Sequence, residues 1–376
     1  MMQDLSPFFA GKYFIDTVEE TYGPTQWGAQ ISSEARPYFP AEEADIILIG
    51  CGETRGATEE GDFSAAPDAV RRQLYRLYNW HPGVKVYDAG NILQGAGLGD
   101  TRAALRTVLY ELQLAGKTVL VIGGSHDLTM QQYEAFRKTG QLITASVADM
   151  LVDLEESEHT TDKSFLMDML TGSPNFVEHY NHIGFQSYYV NPVMLETLDK
   201  LRFDCFRLGR VKEHMEEMEP VLRSSHLFSF DMNAVKYCDA PMNHQGSPNG
   251  FGGDEACLLA RFAGMSSKLS SMGIYGFDET RDKDHMTATL VAQMIWYFFD
   301  GYYLRQAEAD FSDRNEFIDY HVQFTGNDIR FIKSKRSNRW WMELPDGRFE
   351  PCSYNDYLQA SANELPERWL RVQERG

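Results

Sequence analysis

The sequence predicts a three-layer α/β/α fold built on one mostly parallel sheet of about eight strands. Three observations predict it. Short β-rich runs are apolar almost throughout, as expected of strands covered on both faces. They alternate with helical patterns along most of the chain. Glycine and polar residues follow the strands directly, and in such sheets ligands bind beyond the carboxyl ends of the strands.

The elements follow in order. Strands are expected at Asp45–Gly50, Val84–Tyr87, Thr118–Ile122, Leu142–Val147, His182–Gln186, Cys205–Leu208, Leu227–Phe230 and Gly273–Phe277. A helix over Asp68–Asn79 follows Pro67, which suits a first helical turn. The helix Thr101–Ala115 stops at Gly116, and Asp254–Ser271 stops around Gly273. Met286–Arg305 is apolar almost all round and reads as a buried helix. Residues 1–305 thus form one α/β domain. Residues 306–376, with Trp340-Trp341, Pro345, Pro351 and Trp369, read as a C-terminal extension packed on it through its aromatics.

Composition narrows the function. The 376 residues are 43% hydrophobic, ample for a large core. A net charge of -20, from 55 acidic against 35 basic residues, repels nucleic acid and anionic lipid, so neither is an expected partner. The five cysteines show no CxxC spacing and read as reduced thiols. The start, MMQDLSPFFAGKYFID, lacks a basic segment leading into an apolar run, and no apolar stretch is long enough to span a bilayer. A cytoplasmic location is the expectation.

Three segments carry chemistry. Gly123-Gly124-Ser125-His126 follows one strand, Asp149-Met150-Leu151-Val152-Asp153 a second, and Ser229-Phe230-Asp231-Met232-Asn233 a third. One imidazole and three carboxylates from strand ends make a hard-donor set suited to manganese or magnesium. The bland alternatives stay open: a capping histidine at 126, exposed loop acids at 149 and 153, and a buried hydrogen-bonded acid at 231.

This ordered set resembles the ureohydrolases (arginase, agmatinase and formimidoylglutamase), whose patterns are GGxH, DxHxD and SxDxDxxDP. Further matches are Gly50–Arg71, with its Pro-x-x-x-Arg helix start, Asp88-Ala89-Gly90-Asn91-Ile92, and Asn181–Gln186, so the resemblance covers roughly residues 40–305. It implies that His126, Asp149, Asp153 and Asp231 hold the more buried metal, with Asp149 and Asp231 bridging to a second. In the family, two manganese ions activate a hydroxide that attacks an amidine or guanidine carbon.

The sequence departs from the pattern. The His of DxHxD is Leu151, the second Asp of SxDxD is Asn233, and the next Asp is Lys236. Asn233 is either a weak oxygen ligand or a remnant. The Glu that grips the substrate's cationic end is Gly276, with Asp278 and Glu279 as nearby candidates for substrate binding. His159, His179 or His182 could replace the missing imidazole. The expectation is one manganese ion at most, or none. Two functions follow: formimidoylglutamase-like hydrolysis of a small amidine, or an inactive fold serving as a binding or assembly partner. Family resemblance also implies a homo-oligomer.

Overall fold

The computed structural model describes residues 4–11, 20–241, 246–324 and 327–375. A nine-stranded sheet organises it: β1 (Ser32–Ser33), β2 (Ile46–Gly50), β3 (Val86–Asn91), β4 (Thr118–Ile122), β5 (Ile143–Ala148), β6 (Val177–Phe185), β7 (Asp204–Arg207), β8 (Leu227–Asp231) and β9 (Ser271–Tyr275). The spatial order is β1-β3-β2-β4-β9-β8-β5-β6-β7, and every pairing is parallel. The additional strand, β1, has two residues, too few for any periodicity to reveal.

Alternation along the strands builds the three layers. Ile46 and Leu48 of β2, with Leu120 and Ile122 of β4, join one apolar layer. Ile47, Ile49, Val119 and Val121 join the opposite one. The first layer is closed by the helices Ala66–Leu74, Gly253–Gly264 and Met286–Gln306, the second by Leu98–Leu114 and Thr129–Thr139. Full burial at about 25 cal/mol per Å² of apolar surface is what holds this architecture. No helix among the described residues is long and apolar enough to cross a membrane.

Some boundaries differ from the expected ones, each for a physical reason. β6 begins at Val177, ahead of His182, because its polar start is satisfied inside the fold: His179 meets Asp204 at 3.0 Å, and Asn181 donates to Ser146 at 3.0 Å. The helix from Gly253 ends at Gly264, well before Ser271. There Ser266 Oγ donates to Arg223 O (2.8 Å) and accepts from Leu269 N (3.1 Å), a local pairing that competes with helical bonds. The helix Met286–Gln306 is capped by Asp282, whose carboxylate accepts from the amides of Thr287 (2.8 Å) and Ala288 (2.9 Å). Most of it is buried, but Gln293, Tyr297 and Tyr303 form an exposed stripe.

A separate antiparallel sheet follows: β10 (Phe317–Phe324), β11 (Asn327–Ser334), β12 (Trp340–Glu343) and β13 (Phe349–Cys352). Trp340 and Trp341 enter different apolar clusters, so neither forms a binding platform. The buried Arg223 guanidinium lies 4.3 Å from the Trp341 ring and donates to Trp340 O at 2.9 Å, tying this sheet to the α/β layers.

His226 sits where β5 and β8 begin. Its amide donates to Thr144 O (2.9 Å), and its Nδ1 accepts from Thr144 N (3.1 Å). Burial, then the charge of Lys268, pushes its pKa down to about 4. An unfolded histidine titrates near about 6.5, so below that pH the unfolded chain binds the proton more tightly. The stability His226 contributes is whole above about pH 6.5 and is lost as pH falls towards 4, a loss of roughly 2–3 kcal/mol. Urea midpoints at pH 7.5 and 4.5 should therefore differ less in His226→Gln than in the parent; equal differences would contradict this.

Candidate metal centre

The cleft opens at the carboxyl ends of β4, β9, β8 and β5, four strands that are consecutive neighbours in the sheet. Gly123 (φ +85) and Gly124 (φ +84) turn the chain away from β4 in a backbone region that favours glycine. A Cβ on Gly124 would stand 2.7 Å from Cys51 O, so the turn also needs the missing side chain. It delivers His126 into the cleft. Asp127 pins the turn: fully buried, it accepts from Arg102 Nη2 (2.6 Å) and from the Ser125 hydroxyl.

His126 Nδ1 lies 3.0 Å from Asp153 Oδ2, 3.1 Å from Asp149 Oδ2 and 3.3 Å from Asp231 Oδ2. All four side chains are buried. His126 Nδ1 and Asp153 Oδ2 are at contact distance yet neither makes a hydrogen bond of good geometry, as ligands facing a shared centre behave. Cis ligands of an octahedral ion held at about 2.0–2.1 Å stand about 3 Å apart, which matches these spacings. The ring's other face is fixed: Nε2 meets Ser229 Oγ at 3.0 Å, and that hydroxyl meets Thr129 Oγ1 at 2.6 Å. With Nε2–H donating to Ser229, the Nδ1 lone pair is left for a cation.

Electrostatics favour the same reading. Burial, then the charge of Asp149, raises the Asp153 pKa well above the carboxylate range and lifts Asp231 to about 7. Burial opposes charge on His126, but its contacts with Asp149 and Asp153 and the charge of Asp231 win and raise it well above the usual imidazole value. Without an ion, the cluster holds protons in its place.

Two residues on the side of the family's second ion are poor donors. Leu151 lines the cleft where an imidazole would donate, and Asn233 stands where a carboxylate would. Asp149 Oδ1 accepts from Leu151 N (2.9 Å) and Asp231 Oδ1 from Asn233 N (2.8 Å), so the oxygens away from His126 are held by backbone amides. The three alternative histidines do not lie in the cleft. His159 is exposed, His179 pairs with Asp204, and His182 stands behind Asp149, its Nε2 3.3 Å from the Asp149 carbonyl. The capping and exposed-acid readings of His126, Asp149 and Asp153 also fail, since all three are buried around one point.

Of the two substrate-side candidates, Asp278 lines the cleft and Glu279 does not. Asp278 is already engaged: Oδ1 accepts from Thr280 N (3.0 Å) and Oγ1 (2.6 Å), while Oδ2 meets Arg281 Nε at 3.1 Å. Gly276 has φ +75, and a Cβ there would meet Asp231 Oδ1 at 2.5 Å, so a longer residue cannot enter without moving Asp231. The sequence reading missed Asp162, Lys163 and Arg281, which also line the cleft. They arrive on loops, and no local spacing sets them apart.

The sequence pattern of the arginase family matches residues 44–300. Formimidoylglutamase of Hahella chejuensis (strain KCTC 2396) is 27% identical over 209 residues, covering 50% of this chain and 61% of that protein. Formimidoylglutamase of Staphylococcus aureus (strain MRSA252) is 22% identical over 266 residues, covering 67% of this chain and 85% of that protein. The structure of Trypanosoma cruzi formiminoglutamase with Mn2+ superposes with a TM-score of 0.68 at 18% identity, over 74% of this chain and 99% of that one. Bacillus subtilis formimidoylglutamase gives 0.67 at 16% identity, over 76% and 95%. At these identities the structures share the fold; the family pattern, which spans the strand ends carrying His126, Asp149, Asp153 and Asp231, places the chain in the arginase family.

Proposed function

We propose that this chain is a single-ion member of the family that hydrolyses a C–N bond of a small linear amidine of the formimidoyl type. One observation carries the reading: a histidine nitrogen facing three carboxylate oxygens at 3.0–3.3 Å, with Leu151 and Asn233 on the side of a second ion. His126, Asp149, Asp153 and Asp231 would hold one manganese or magnesium ion. When bound, such a cation supplies Lewis-acid chemistry, lowering the pKa of a water and offsetting charge that develops on the attacked amidine. The Ser229 and Thr129 hydroxyls orient the imidazole, and the amides of Leu151 and Asn233 orient two carboxylates. The half-buried Leu151 side chain keeps part of the cleft floor dry, which strengthens every charge interaction there.

An inactive binding protein is the second reading, and Asp278 favours it: its charge is already paired with Arg281, so Asp278 is not free to meet a cationic substrate end. Incubating the manganese-loaded protein with N-formimidoyl-glutamate and following release of the free amino acid separates the two. Slow turnover that disappears on chelation is the expected result. Absence of turnover in fully loaded protein would overturn the hydrolase reading and leave the inactive one.

A further inference from the structure

The cleft holds only about 70 Å³ of free space. A cavity of about 150 Å³ is what admits a benzene-sized molecule. One of its walls is the stretch 57–63, of which Ala57, Glu59, Glu60, Gly61 and Phe63 line the cleft. Both ends of this stretch are pinned. Before it, Glu53 O accepts from Ser125 N (3.0 Å), Arg55 Nη1 donates to Ala96 O (3.0 Å), and Gly56 O accepts from Asp162 N (3.1 Å). After it, the helix Ala66–Leu74 enters the core.

The middle is held differently. No residue from 57 to 63 belongs to an apolar cluster of the described residues. Its tethers are polar: Thr58 N donates to Asp162 Oδ1 (2.9 Å), Lys163 Nζ meets Glu59 Oε1 (3.2 Å), and Arg281 Nη2 donates to Glu60 O (3.2 Å). These partners come from the loops after β5 and β9, on two other sides of the cleft. Partly exposed pairs of this kind contribute little each, and segments without apolar anchorage open at low cost.

We propose that residues 57–63 are a lid beside the cation cleft, latched by Lys163 and Arg281, whose opening widens the cleft for an amidine-sized ligand to reach the floor. Rigid ends with a middle held by a few polar contacts give a hinged flap whose open state is readily populated. The lid is independent of whether the cleft turns over an amidine, and its test needs no ion.

A reporter thiol on the floor, Leu151→Cys, is labelled with iodoacetamide in the metal-free protein and followed at residue 151 by peptide mass spectrometry. Adding Lys163→Ala and Arg281→Ala should speed labelling about three- to tenfold, the effect of losing two weak surface tethers. Glu59→Gln, which removes one tether from the lid side, should give a smaller change of the same sign. Hydrogen exchange should rise at 57–63 while the strands Ile46–Gly50 and Thr118–Ile122 stay unchanged. Equal labelling rates in all the proteins would overturn the proposal. So would faster exchange spread over those strands, because it would mean general loosening of the fold.

Discussion

Asp231→Ala should remove divalent-cation binding while leaving the fold in place. Asp231 is one of four candidate donors among the described residues, and its Oδ2 lies 3.3 Å from His126 Nδ1. Residues one shell further out typically cost 10–100-fold in affinity, so loss of a direct ligand should cost more than about 100-fold. The metal-free fold should tolerate the change, because this buried carboxyl is already pushed to about 7 by burial and by the charge of Asp149. Removing it relieves repulsion inside the cluster. Thermal melts with and without manganese check both halves. At a hundredfold excess over its dissociation constant, an ion stabilises the parent by about 2.7 kcal/mol, and the variant should show almost none of that gain. Equal metal-induced shifts in the two proteins would mean that Asp231 is not a ligand.

Asp88→Ala should lower stability by about 3–5 kcal/mol, the usual cost of stranding one member of a buried ion pair. Asp88 and Arg71 are both fully buried. Asp88 Oδ2 accepts from Arg71 Nε (2.8 Å) and the Tyr75 hydroxyl (2.5 Å), and Oδ1 accepts from Arg71 Nη2 and Gly90 N, each at 2.9 Å. Burial works against the guanidinium charge, but Asp88 outweighs it and holds the Arg71 pKa above its ordinary value. Without Asp88 that charge loses its nearest full counter-charge, while Asp68 and the neutral Asn91 and Gly90 oxygens stay nearby. Urea unfolding of parent, Asp88→Asn and Asp88→Ala should rank them in that order of stability. A loss below about 1 kcal/mol for Asp88→Ala would contradict the account.

Asp88 also marks where sequence reading stops. In sequence it follows the strand-like run Val84–Tyr87 much as Asp149 and Asp231 follow theirs, although it is the third residue of β3, and nothing in its local pattern says that it faces an arginine in the core instead of the cleft. The candidate ligands were legible because their spacing follows the sheet and the family motifs: each motif begins where an apolar run stops, so strand geometry brings His126, Asp149 and Asp231 to one rim. Leu151 and Asn233 stood out only by comparison with the family motifs DxHxD and SxDxD. Asp162, Lys163 and Arg281 were not legible, since loops place them and loop paths depend on tertiary contacts. The polar start of β6 was hidden because buried hydrogen bonds to Asp204 and Ser146 replace the apolar signal that normally marks a strand. Asp278 was found by proximity in sequence, but only the structure places Arg281 against its carboxylate.

The central claim is that this cleft takes one divalent ion on His126, Asp149, Asp153 and Asp231, and no second. Equilibrium dialysis against manganese, with elemental analysis of the retained metal per chain, tests it most directly. The account predicts saturation at one ion per chain in the parent and none retained by Asp231→Ala. Saturation at two ions per chain, both lost together in that variant, would contradict it.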